Sequence, residues 1–287
     1  MRALARMAVC LTFWALMPVL TAVASNAAGD RPLVLAVHPY LTAAELVARF
    51  TPLADFIART LGQPVVVRVG GSYAEHIVAI GRDQVDIAFV GPAGYVNVLD
   101  LYGSKPILGR FEVMHQSNLF GVIAVTTASP LHSLAELKGR RVAFVDPDST
   151  MGYYVPAWAL VQAGTPVQAL GAYRFLGLHP NVALAVLAGD YDAGALKREV
   201  YDEYAPRGLR ILAELPPTPD HVFVTRANFP VQDVVRLRAA LQGLHESADG
   251  RRILERLHPG LTRLIPGSPG DYQGLREMMR SLAAATR

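Results

Sequence analysis

From Leu33 to Val90 two periodicities alternate, and that alternation restricts the fold more than any other feature of the chain. Leu33–Val37, Val65–Val69 and Val85–Val90 are short apolar runs rich in β-branched residues. Between the first two, Leu46, Phe50, Leu53, Phe56, Ile57 and Leu61 recur at helical spacing, and Gly62 follows where a helix C-cap favours glycine. Tyr73–Ile80 is a second, shorter helical stretch. This β-α-β-α-β order builds a parallel sheet covered by helices. The alternation continues through a helix at Ala93–Leu101, a strand at Phe120–Thr126, a short helix at Ser133–Leu137 and a strand at Arg141–Val145. A helix at Tyr153–Ala163, a strand at Tyr173–Leu176, a helix at Asn181–Ala188 and a strand at Tyr191–Ala195 complete a second set. After a strand at His221–Thr225, amphipathic helices span Val231–Ser247, Gly250–Leu257 and Asp271–Ala285. No internal repeat and no low-complexity linker separates the two sets. Two α/β lobes joined by crossing segments near Val113–Phe120 and Leu215–Phe223 are therefore expected.

The first residues read differently. Arg2 and Arg6 precede an uncharged run from Met7 to Val23, which ends in the small residues Ala22-Val23-Ala24. That is the three-part pattern of a secretory signal peptide over residues 1–24, cut before Ser25. A retained anchor is the competing reading, since the run nearly suffices to span a bilayer. The one cysteine, Cys10, lies early in this run and not at its end, where a lipoprotein would need it. The remaining chain has no cysteine and is large enough to be stable on its core alone. With 27 Lys+Arg against 24 Asp+Glu, the charge is too balanced to argue for nucleic acid or an anionic membrane surface.

Four strand-to-helix turns could carry chemistry. The segment Asp146-Pro147-Asp148-Ser149-Thr150-Met151-Gly152-Tyr153 opens a helix, where free backbone N–H groups and a partial positive charge favour anions. Ser149 and Thr150 add hydroxyl donors, although either would also serve as an ordinary N-cap. Gly91-Pro92-Ala93-Gly94 lets backbone approach a ligand, Gly70-Gly71-Ser72-Tyr73 places an aromatic hydroxyl beyond a strand, and His179 precedes a helix. Taken singly, each of these three also reads as a plain turn or cap. In open α/β sheets, ligands bind beyond the carboxyl ends of strands, so four such turns together point to a site for a compact anion. The eight histidines are scattered, with no H-E-x-x-H or C-x-x-C spacing, so no metal or other cofactor is expected. No G-x-S-x-G elbow is present, and Ser149, His179 and Asp220 as a hydrolase triad is weakly supported, so no enzyme activity is expected.

Across about Pro32 to Leu282 the chain resembles the substrate-binding proteins of phosphate, phosphite and phosphonate ABC importers. The resemblance is carried by Arg49–Phe56 with Leu61–Val65, Val85–Pro92, Leu134–Arg140, the Asp146–Tyr153 segment, His179 set 30 residues after Ser149, Gly189–Gly194 and Pro217–Asp220. It implies an α/β, two-lobe "Venus flytrap" of type II, each lobe a mixed sheet flanked by helices. Residues 32–114 plus 224–287 would form lobe one and 115–223 lobe two. It also implies an oxyanion held by Tyr73, Ser149, Thr150, His179 and the turn at Gly91, Pro92 and Ala93, with Asp220 able to meet a ligand amine. These donors would act without Arg or Lys, and a titrating His179 would make affinity pH-dependent. The implied protein is a periplasmic monomer that delivers its ligand to a membrane permease. A ligand-sensing partner of a membrane signalling protein, or a binder of another small anion, would use the same closure. Leu119-Phe120 stands where phosphonate binders carry a Tyr-Trp-like pair, and Met151 replaces a small residue, which argues against an aminoalkylphosphonate and for a narrower site.

Overall fold

The computed structural model describes residues 31–285. The leader read at residues 1–24 lies outside the described residues. In chain order the first elements are β1 (Leu33–Val37), α1 (Ala43–Leu61), β2 (Val65–Val69), α2 (Tyr73–Gly81), β3 (Ile87–Val90), α3 (Pro92–Tyr102) and β4 (Ile107–Val113). Thr42 caps α1 by accepting from the Glu45 N–H, and Gly62 ends it at φ 71°. The strands β5 (Asn118–Leu119), β6 (Gly121–Thr126) and β7 (Arg141–Phe144) follow, then α4 (Val155–Gln162), β8 (Ala172–Phe175), α5 (His179–Leu187) and β9 (Ala193–Lys197). The chain finishes through α6 (Arg198–Tyr204), β10 (Leu209–Glu214), β11 (Thr218–Pro219), β12 (Val222–Thr225), α7 (Val231–Gln242), α8 (Ala248–Leu257), β13 (Leu261–Ile265) and α9 (Gln273–Ala285).

Two mixed sheets result. The first has the order β13-β4-β12-β3-β1-β2 and the second β10-β6-β9-β7-β8. β1 pairs in parallel with β2 and β3, while β12 runs antiparallel to β3 and β4. In the second sheet β7 is parallel to β8 and β9, and β6 is antiparallel to β9 and β10. A two-stranded ribbon, β5 against β11, carries the chain between the sheets. The boundary placed after Phe223 splits β12, all four of whose residues are buried within the first sheet. The strands β4, β10 and β13 lack a clean sequence signal. Arg110, Arg210 and Arg263 interrupt their apolar runs, and two of the three strands lie at a sheet edge.

Three apolar clusters hold the chain together. One joins the first sheet to α1, α7 and α8 through Leu35, Phe50, Leu53, Phe89, Phe223, Leu237 and Leu254. A second packs Val122, Val182, Val186 and Val200 under α5 and α6. The third takes residues from both sheets, among them Val90, Ile123 and Phe144, and adds Leu275, Met279 and Leu282 of α9. That last helix packs on both α3 and α4.

Phe89 is the keystone of the first cluster. It is 1% exposed, and its ring lies within 5.0 Å of the rings of Phe50, Phe111, Phe223 and His221. Phe89→Ala is expected to cost about 3–5 kcal/mol, from lost burial plus an uncollapsed cavity. Urea unfolding of variant and parent measures it, and a loss below about 1 kcal/mol would contradict this packing account.

Candidate ligand site

Each element of the site begins at the end of a strand. After β2, Ser72 caps α2 by accepting from the Glu75 N–H at 3.1 Å, which sets Tyr73 in the first helical turn, buried against the His38 ring at 5.4 Å. After β3, Gly91 caps α3 without a side-chain bond and Pro92 occupies the first turn. A Cβ on Gly91 would lie 3.7 Å from Nε2 of both His38 and His221, so its absence leaves space in front of those rings. After β7, Asp146 Oδ1 accepts from the Asp148 N–H, and Ser149 Oγ accepts from the Gly152 N–H at 3.1 Å. The chain then makes one π-helical turn, Thr150–Tyr154, before α4. Gly152 is required there, since a Cβ would come within 2.5 Å of Val145 Cβ.

These turns meet across the cleft. Thr150 Oγ1 accepts from the Ala93 N–H at 2.9 Å, Asp148 Oδ1 accepts from Asn97 Nδ2 at 3.0 Å, and Ser149 and Tyr73 both line the space between them. Between them lies a small, partly open cavity with room for one or two waters. Of the residues expected at the site, Tyr73, Gly91, Ser149 and Thr150 line it. Ala93 contributes its N–H through Thr150, and Pro92 only starts the helix. Asp220 stands behind the wall, accepting from both the backbone N–H and Nδ1–H of His221 at 2.6 Å, so His221 and not Asp220 faces the cavity. His179 is not among the residues that line the cavity; its Nδ1 accepts from the Lys197 N–H at 3.2 Å, and its Nε2 is buried with no partner among the described residues. With Asp220 bonded to His221, the triad of Ser149, His179 and Asp220 is not assembled.

Five further residues line the cavity that the sequence reading passed over: His38, His76, Ile77, Lys197 and His221. His38 follows β1 and Lys197 ends β9, so the rule that ligands lie beyond strand carboxyl ends reaches both. Burial chiefly depresses the imidazoles: His76 and His221 to about 4, His179 to about 3, and His38 well below its usual value, with the Lys197 charge adding to the effect on His38, His179 and His221. His179 is therefore neutral at physiological pH and is not the titrating switch its position suggested. Burial also lowers Lys197 and pushes the Tyr73 phenol up. The site thus holds one ammonium, contrary to the expectation of donors without Arg or Lys. Among the described residues no three of His, Cys, Asp and Glu form a metal-holding group.

A family model described as "ABC transporter, phosphonate, periplasmic substrate-binding protein" matches residues 35–272. The chain belongs to this family of phosphonate-type periplasmic substrate-binding proteins. Among curated relatives, the phosphate-import protein PhnD of Mycolicibacterium smegmatis is 28% identical over 173 residues, 56% of this chain and 54% of that protein. The phosphonates-binding periplasmic protein of Escherichia coli is 24% identical over 220 residues, 73% of this chain and 65% of the relative. The chain thus spans between half and two thirds of the length of these two relatives. The fold matches that of PhnD1 from Prochlorococcus marinus, solved in complex with methylphosphonate, with a TM-score of 0.79 at 21% identity, covering 88% of this chain and 98% of that one. Within this phosphonate-type frame the two departures noted in the sequence both fall on the cavity wall. Leu119 and Met151 line it, and Met151 packs over Gly121, where a Cβ would meet its Sδ at 2.8 Å.

Proposed function

We propose that this chain captures a phosphorus oxyanion between two closing lobes, as the periplasmic component of an ABC importer. The observation that carries the reading is the cavity wall shared by Tyr73, Gly91, Ser149 and Thr150 beyond the ends of their strands; a buried donor outside that wall, Nε2 of His179, adds to it. The Nδ1 of His179 accepts from the Lys197 N–H, so the neutral ring carries its proton on Nε2, a donor with no acceptor among the described residues. A buried unpaired donor costs about 1–3 kcal/mol, which an anion's oxygen removes. Around the cavity, the Ala93 N–H donates to Thr150 Oγ1, and the hydroxyls of Tyr73, Ser149 and Thr150 lie on the wall. An anion entering between them would take over donors that an apolar ligand would strand. Lobe one at 32–114 plus 224–287 and lobe two at 115–223, with the second boundary moved ahead of β12, would hinge about the β5–β11 ribbon. Export would follow cleavage of the leader before Ser25, and the closed monomer would dock on its permease. The names of the Mycolicibacterium relative, a phosphate importer, and of the methylphosphonate complex support the ligand class.

Thermal melting with phosphate, phosphite, methylphosphonate, sulfate and simple carboxylates tests this. At about 100 times Kd a ligand adds roughly 2.7 kcal/mol, and each kcal/mol raises Tm by roughly 2–4 °C. A rise with a phosphorus oxyanion is expected. A rise only with carboxylates or sulfate keeps the fold and overturns the ligand class.

A further inference from the structure

Resting on that reading, the structure points further to the charge of the ligand. Lys197 is 6% exposed and ends β9 at the cavity wall, with its Nζ 4.4 Å from the centre of the Tyr40 ring. An ammonium has three donors. One goes to His221 Nε2 at 3.3 Å. Because Asp220 holds the proton on His221 Nδ1, that Nε2 is a neutral lone pair and brings no countercharge. The nearest carboxylate, Glu199, is 3.9 Å away, and its other oxygen is bonded to His258. The Asp148 carboxyl, also on the wall, accepts at Oδ1 from Asn97 Nδ2 at 3.0 Å and the Tyr154 hydroxyl at 3.4 Å. The ammonium therefore faces the cavity with no carboxylate among the described residues hydrogen-bonded to it, although Glu199 at 3.9 Å and Asp220 behind His221 both act on its charge. Buried charge of this kind is costly until it is paired.

We infer that Lys197 sets the ligand's charge class: the site takes a compact phosphorus dianion, inorganic phosphate or a short alkylphosphonate, and rejects a phosphonate bearing an amine. A ligand ammonium would meet Lys197 inside a low-dielectric space, where like charges repel strongly. Leu119 offers such an amine no acceptor, and Met151 fills room that a tail would need.

Calorimetric titration of the chain and of its Lys197→Met variant with phosphate, methylphosphonate and 2-aminoethylphosphonate is the test. For the parent, phosphate or methylphosphonate should bind about 100-fold tighter than 2-aminoethylphosphonate. Methionine keeps the length of the buried stem, so Lys197→Met should fold, lose about 100-fold in affinity for the dianion and narrow the gap to a few-fold. Equal binding of the amine and non-amine ligands by the parent overturns the inference while leaving the oxyanion reading intact, and this comparison needs no variant. Undiminished dianion binding by Lys197→Met does the same. If the parent binds none of the three, the inference falls together with the reading it rests on. The relative affinities for phosphate and methylphosphonate decide which dianion the site was built for.

Discussion

With Ser149→Ala and Thr150→Ala combined, methylphosphonate is expected to produce no rise in melting temperature at concentrations that saturate the parent. The two hydroxyls sit side by side at the opening of the π-helical turn, 3% and 6% exposed, and both line the cavity. Hydrogen bonds to a charged group contribute about 1.5–3 kcal/mol each, so losing two weakens binding by roughly 10²- to 10⁴-fold. The two positions also separate binding from stability. Ser149 Oγ accepts from the Gly152 N–H, so Ser149→Ala removes a cap and should cost about 1 kcal/mol even without ligand. Thr150 Oγ1 instead accepts from Ala93 across the cleft, so Thr150→Ala acts on closure, and Thr150→Ser should restore binding. A ligand-induced shift that survives the double substitution would show that these hydroxyls do not hold the anion.

Acid should destabilise the fold steeply as pH falls below 6.5. His38, His76, His179 and His221 all have folded-state values depressed by burial from 6.5, three of them to between about 3 and about 4. Below pH 6.5 the unfolded chain takes up these protons and the folded chain does not, so stability falls as pH falls. Each group contributes about 1.4 kcal/mol per pH unit within that window, or roughly 5 kcal/mol per unit for the four together. His258 behaves oppositely. Burial alone would lower it, but its bond to Glu199 prevails and raises it, so its contribution is complete below 6.5 and is lost only as pH rises through the folded value. Stability should therefore be greatest near neutrality. Urea midpoints from pH 7.5 to 5.0 should fall steeply with acid, and His76→Gln should reduce the slope by about a quarter. A flat profile down to pH 5 would mean that these rings are not held neutral.

Much of the fold could be read from period alone. β1 to α3 alternate cleanly because parallel strands buried on both faces leave apolar runs, and the capping residues Thr42, Ser72 and Gly62 mark their helices. The antiparallel additions β4, β10 and β13 escaped, since each carries an arginine that reaches solvent, a carbonyl or a carboxylate without leaving the strand. The Asp146–Tyr153 segment and Gly91 announced the cavity through residue types that suit helix starts. Lys197 and His221 did not, because a lysine or histidine at a strand end reads as surface until the fold buries it. The resemblance puts Asp220 at the site to meet a ligand amine, whereas the backbone turns the neutral ring of His221 inward and uses the carboxylate to fix that ring's tautomer. The position of α9 against α3 and α4 has no local signature, because its amphipathic pattern does not say which lobe covers it.

A crystal structure of the chain grown with methylphosphonate would test the central claim most directly. The expected result is the phosphonate enclosed between the two sheets, with its oxygens within hydrogen-bonding distance of Ser149 Oγ, Thr150 Oγ1, the Ala93 N–H and His179 Nε2. A ligand bound elsewhere, or an empty cavity at saturating concentration with His179 Nε2 still unpartnered, would contradict it.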